Sequence, residues 1–188
     1  MLISIILLVI LVIAAFMLVG VYNRLVGLRQ NANQAFADID VQLKQRQDLV
    51  PNLVETVKGY ASHERGTLEA VTAARAAAAS ASSVQDKVQA ENALSGALRQ
   101  LFAVAEAYPD LKANSNFIQL QNELTDIENK LAAARRFFNN AVAEFNAAIQ
   151  QFPAVVVAGP FGFTARSFFD LGENRAAAET APQVSFSS

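Results

Sequence analysis

The sequence has no cysteine, no tryptophan and one histidine. Without Cys, disulfides, thiolate nucleophiles and zinc sites built on Cys are excluded. With His63 alone, triad chemistry and most transition-metal sites lack bases or ligands. A di-iron helical bundle needs two Glu-x-x-His motifs and fails that count outright. Charge is also scarce. Charged residues make up 17%, and 15 basic against 17 acidic residues leave a formal charge of -2. Such a chain has no broad basic surface to neutralise phosphates, so nucleic acid is not an expected partner. No P-loop, G-x-G-x-x-G or G-x-S-x-G motif occurs. No catalytic, metal or cofactor site is therefore assigned. Helix breakers are sparse too. From Arg24 to Gln151 the only prolines are Pro51 and Pro109, and glycine stands only at 27, 59, 66 and 96. Nothing alternates with period two over a useful length, which excludes strands.

What is abundant is apolar surface. Hydrophobic residues reach 53% and the mean hydropathy is +0.24, which points to membrane contact. Residues 1–23 carry no charge, and Arg24 is the first charged side chain. As a helix, Leu2 to Val21 measures about 30 Å and matches a bilayer's hydrocarbon core. Tyr22 and Arg24 then fall at the membrane interface. A cleaved secretory signal needs a basic start and a shorter apolar core, so the segment is read as an uncleaved anchor. Arg24, Arg29, Lys44 and Arg46 follow the span and nothing basic precedes it. The positive-inside rule places the C-terminal body in the cytoplasm rather than outside.

The body reads as all-α. Between 117 and 152, Phe117, Leu120, Leu124, Ile127, Leu131, Ala134, Phe138, Ala141, Phe145, Ala148 and Phe152 recur in alternating steps of three and four. That is the 3.5-residue coiled-coil repeat, a seam for packing partner helices of this chain or another copy. Leu25, Leu28, Ala32, Phe36, Ile39 and Leu43 repeat similarly, and no turn signal separates them from the span. Pro51 marks a kink or a restart, with the stripe running on to about Ala81. Ser83 and Asp86 form a capping-box-like start for a helix reaching about Tyr108. Pro109 ends that helix, and Asn114 or Ser115 caps the last one. The predicted organisation is an anchor (1–22), an antiparallel helical bundle (23–152) and an irregular tail (153–188) that is apolar, then polar.

The tail starts at Pro153 with AVVVAGPFGF (154–163), too short to span a bilayer. Its glycines and prolines favour turns. Val155, Val157, Phe161, Phe163, Phe168 and Phe169 must dock on the chain's own bundle, on a neighbouring subunit or in the lipid interface.

The order of these pieces resembles the LemA family. The likeness rests on the span followed by YNRLVGLRQNANQAFADIDVQLKQRQDLVPNLVETVKGYASHERGTLEAVTAARA (22–76). It rests also on YPDLKANSNFIQLQNELTDIENKLAAARRFFNNAVAEFNAAIQQFP (108–153), FGF (161–163) and Phe168-Phe169. The sequence departs at Phe137-Phe138, where the family commonly shows tyrosines, and at a more apolar 154–158. The resemblance implies a membrane-anchored helical bundle in the bacterial inner membrane, with no agreed biochemical activity. It also implies links to membrane-bound heat-shock proteases and, in one relative, to magnetosome membrane formation.

The remaining polar residues carry weak chemistry. His63, in SHERG (62–66), is read as a solvated or capping residue near a helix junction, and the acids Glu55, Glu64, Glu69, Glu123, Asp126 and Glu128 as a solvated helix face. Arg135 and Arg136 are read as surface residues or partners of Glu128 or Asp126. Asn139, Asn140 and Asn146 lie on or near the seam and are candidates for fixing its register. The resulting expectation is a non-enzymatic scaffold that self-assembles at the membrane. Its expected partners are the lipid bilayer and further copies of itself. The alternative is an adaptor that presents a helix groove or the tail to a membrane protease or another envelope protein.

Overall fold

A computed structural model of the chain describes residues 1–169, and the polar end expected at 170–188 lies outside the described residues. The described residues form six helices in order: α1 Leu2–Lys58, α2 Arg65–Ser80, α3 Val84–Ala105, α4 Pro109–Lys112, α5 Ser115–Gln150 and α6 Ala154–Ala158. The described residues contain no strand. The fold is an apolar N-terminal helix continued into a helical bundle.

The described residues form two compact units: residues 1–49 with 120–168, and residues 50–119 with Phe169. In the first, α1 and α5 run antiparallel. The rings of Phe36 and Phe138 lie 5.4 Å apart, and Arg46 pairs with Glu128 at 3.0 Å. Leu25 and Leu28 share a core cluster with Phe145, Ala148 and Ile149. As α1 numbers rise, their α5 partners fall. Of the α1 stripe, Leu25, Leu28, Ala32, Ile39 and Leu43 are buried and Phe36 is half-buried, with Ala35 buried beside it. Residues 2–20 of the same helix are all exposed and carry the hydropathy and length to cross a membrane. One helix therefore changes role at about Val21, from lipid-suited surface to packed core.

In the second unit, α2 and α3 pack on one another through a three-residue connection. Leu68, Val71 and Ala78 of α2 and Leu94, Leu98 and Leu101 of α3 are buried. Ser83 caps α3: its Oγ accepts the Asp86 backbone N–H at 3.0 Å. Asn114 caps α5, its Oδ1 accepting the Phe117 N–H at 3.0 Å.

Three boundaries differ from the sequence expectation. Of the kink or restart expected at Pro51, the restart does not occur; α1 runs through it to Lys58. A proline costs one backbone bond and a clash, but Val50, Leu53 and Val57 around it are almost fully buried, and packing prevails. The break falls at Gly59–Glu64, at the helix junction expected around His63. Next, α3 stops at Ala105 rather than Tyr108. The residue before a proline is pushed out of the α region, and Tyr108 sits at φ -120, ψ 88. Pro109 then opens α4, where its missing N–H costs nothing. Finally, the tail is not wholly irregular. After Pro153 it forms α6, with the Val155 N–H donating to the Gln151 carbonyl at 2.8 Å. Ala154, Val157 and Ala158 turn inward and supply the burial that steadies so short a helix.

Candidate functional site

A cluster of specific contacts in the first unit lies where α1 emerges from its lipid-suited stretch. Here the segment after α6 folds back across α1 and α5. Gly162 makes this turn feasible: it has φ +70, in the left-handed region that a β-carbon disfavours. Its N–H donates to the Gly159 carbonyl at 3.1 Å, and the Phe163 N–H donates to the Ala158 carbonyl at 2.9 Å.

Phe163 then enters the core. It is buried against Leu25, Leu28, Phe145 and Ile149. Its ring meets Tyr22 edge-on at 5.6 Å and Phe145 at 6.4 Å. The Arg29 guanidinium sits over the ring at 5.0 Å from its centroid, a cation–π contact. Three residues on, Asn146 pairs with the backbone of Arg166 at both polar atoms. Its Nδ2 donates to the Arg166 carbonyl at 2.9 Å, and its Oδ1 accepts the Arg166 N–H at 2.8 Å. The Arg166 side chain reaches the other helix, with Nη1 donating to Asn33 Oδ1 at 2.7 Å and more weakly to the Arg29 carbonyl at 3.4 Å. The tail thus ties α5 to α1, satisfying its backbone at Arg166 where no sheet or helix is available.

This clasp was only half visible in the sequence. Asn146 stood out as a polar residue near the seam, with a role in register expected; the structure gives it the tail as partner. Arg29 is expected only as one of the basic residues following the span, and Asn33 and Arg166 carry no sequence expectation. A signal existed for Arg166: it is the one charged residue between Glu144 and Asp170. A lone charge in an apolar segment needs a polar partner nearby.

The seam residues are placed as follows. Phe117, Leu124, Ile127, Leu131, Phe138, Phe145 and Ala148 are buried, and Leu120, Ala134 and Ala141 are half-buried. Val142 and Ile149 are buried as well, so the packed stripe shifts by one residue toward the end of α5. Phe152 is 82% exposed, past the last turn of α5. The shift follows from helical pitch, since 3.6 residues per turn drifts away from a strict 3.5 repeat.

Of the tail residues, Val157, Phe163 and Phe169 are buried, while Val155, Phe161 and Phe168 are exposed. Tyr22 touches Phe161 edge-on at 5.1 Å, and Arg24 is exposed one turn beyond the apolar stretch. A groove of about 260 Å³ runs between Leu18, Val19 and Tyr22 on one side and Val157 and Phe161 on the other.

Arg136 is exposed, in keeping with its reading as a surface residue. Glu128 binds Arg46, whose side chain is almost wholly buried, and Asp126 binds Lys130 at 2.6 Å. In the second unit, the Tyr108 hydroxyl donates to Glu64 Oε1 at 3.3 Å, and Asn114 Nδ2 donates to the Tyr60 hydroxyl at 2.9 Å. Tyr108 is held above the ordinary phenol range, by desolvation first and then by the charge and hydrogen bond of Glu64. His63 is exposed in the α1–α2 connection. A second groove, about 780 Å³, lies along α2 between Val54, Leu68, Thr72, Ala73 and Ala76, with Glu55, Lys58, Arg65 and Glu69 at its edge.

Comparison with known proteins places this architecture. The family model described as "LemA family" matches residues 35–186. Among curated proteins, "Magnetosome protein MamQ" of Magnetospirillum gryphiswaldense is 24% identical over 79% of this chain and 64% of its own length. "Protein LemA" of Metamycoplasma hominis is 30% identical over 73% of this chain and 63% of its own length. "Magnetosome protein MamQ 2" of Paramagnetospirillum magneticum is 22% identical over 79% and 64%. The chain thus spans slightly less than two thirds of the length of the curated relatives it matches.

Proposed function

The chain belongs to the LemA family, and from that premise we propose that it is a non-catalytic scaffold that self-assembles at the bacterial inner membrane. It is a membrane-associated helical protein. The observation that carries the scaffold reading is the continuity of α1. The helix that exposes residues 2–20 is the helix that buries Leu25 through Leu43 against α5. With no linker between them, the position and tilt of the anchor are imposed on the bundle, and assembling bundles would gather and orient their anchors. Large apolar side chains left uncovered outside that stretch, Val41 on α1 and Phe137 on α5 (58% exposed), support self-assembly.

The basic residues after the apolar stretch favour a bundle on the cytoplasmic face. The names of the magnetosome relatives accord with a part in membrane organisation. The absence of native cysteine makes the test direct. Single cysteines at Phe137 or Val41, crosslinked in native membranes, are expected to give self-adducts of discrete size. Exclusively monomeric chain at both positions contradicts the proposal.

A second reading is an adaptor, favoured by the groove along α2. Its apolar lining of Val54, Leu68, Ala73 and Ala76, edged by charged side chains, suits the apolar face of a partner helix. A photo-crosslinker at Ala73 that captures one foreign envelope protein, and no second copy of the chain, would favour it.

A further inference from the structure

We propose that residues 152–161 form a second membrane contact, lying in the lipid interface beside α1. The proposal rests on the reading of α1 as a membrane span. If Leu2 to Val21 fills the hydrocarbon core, Tyr22 marks its edge and Leu18 lies about 6 Å deeper along the helix. The tail reaches that depth. Phe161 and Val157 share an apolar groove with Leu18 and Val19, and Phe161 rests edge-on against Tyr22. A side chain beside Leu18 has lipid as its surroundings wherever protein does not cover it.

The outward face of the segment suits that medium. Ala154, Val157 and Ala158 pack inward, which leaves Phe152, Val155, Val156 and Phe161 outward, each at least half exposed. No charged residue occurs between Glu144 and Arg166. Exposed to water, four large apolar side chains within ten residues would be an aggregation hazard; in the interface they add anchoring area. The clasp at Phe163 and Arg166 holds the segment at this depth, and the charge returns where the chain climbs away from the boundary. The surface is continuous with the lipid-suited face of α1, which argues for lipid over a second copy as its occupant.

Tryptophan is absent from the chain, so an introduced one reports alone. The full-length protein would be reconstituted in phosphatidylcholine–phosphatidylglycerol vesicles with and without brominated acyl chains. Ile10→Trp reports the span, Phe152→Trp and Val156→Trp report the tail, and Phe137→Trp reports an exposed site well above the boundary. Both tail positions are already exposed, so neither substitution disturbs the core. The expected result is tail quenching within about twofold of the span signal and several-fold above Phe137→Trp, as shallow acyl contact requires. Quenching at Ile10→Trp with the tail matching Phe137→Trp would overturn the proposal and leave the anchor in place. No quenching at Ile10→Trp would overturn the anchor reading and the proposal with it. An unquenched tail whose Val156→Cys variant crosslinks to another copy would overturn the proposal in favour of a protein interface.

Discussion

Asn146 holds Arg166 by both backbone polar groups, at 2.9 and 2.8 Å, in a side-chain imitation of a strand pair. Replacing Asn146 with Leu leaves a part-buried N–H and carbonyl without their partners, at about 1–3 kcal/mol each. The tail is expected to detach, so trypsin should cut after Arg166 several-fold faster than in the unaltered chain. Arg166→Ala removes the contacts to Asn33 and Arg29 but keeps the backbone pairing. It is expected to cost less, and limited proteolysis of the two variants side by side checks the order.

How much of this was legible beforehand depends on the kind of signal. The α1 and α5 stripes repeat over many turns, and the helices follow from that repeat, while the buried residues drift off it at Ala35, Val142 and Ile149. The caps at Ser83 and Asn114 follow from local chemistry that needs no tertiary partner. A restart at Pro51 fails because the proline's penalty is local, whereas the burial of Leu53 and Val57 that overrides it is tertiary. The clasp was hidden for the same reason: Arg166 and Asn33 are 133 positions apart, and nothing in either neighbourhood announces the other.

Phe163 is the apolar half of the clasp. Phe163→Ala should destabilise the protein by about 3–5 kcal/mol, the usual cost of emptying a buried aromatic site. Gly162→Ala adds only a methyl group with open space around it, but its φ of +70 imposes about 1–2 kcal/mol of backbone strain. Chemical denaturation of the full chain in detergent should rank the two in that order.

The Arg46–Glu128 pair joins a buried guanidinium to a carboxylate that is still partly in water. Glu128→Gln removes the neutralising charge and is expected to cost about 1–3 kcal/mol, discounted from a wholly buried pair because Glu128 remains solvated. Arg46→Met removes the buried charge as well as the pair and should be less harmful. Melting temperatures of both variants test the ranking.

Tyr108 sets a pH dependence in the second unit. Desolvation and the Glu64 carboxylate raise its ionisation above that of a free phenol. The folded state therefore keeps its proton to higher pH than the unfolded chain. Stability from this group is fully present below about pH 10, the unfolded value, and is lost as pH rises through the folded value. Tyr108→Phe should flatten that alkaline decline, as followed by helix circular dichroism against pH.

The central claim, that this chain assembles into a scaffold, is tested most directly by the mass of the full-length protein in lipid nanodiscs or mild detergent. Light scattering with negative-stain imaging measures it. The account expects a uniform particle of several copies, retained in the clasp variants that keep α1 and α5 intact. A monodisperse monomer across a wide concentration range would contradict it.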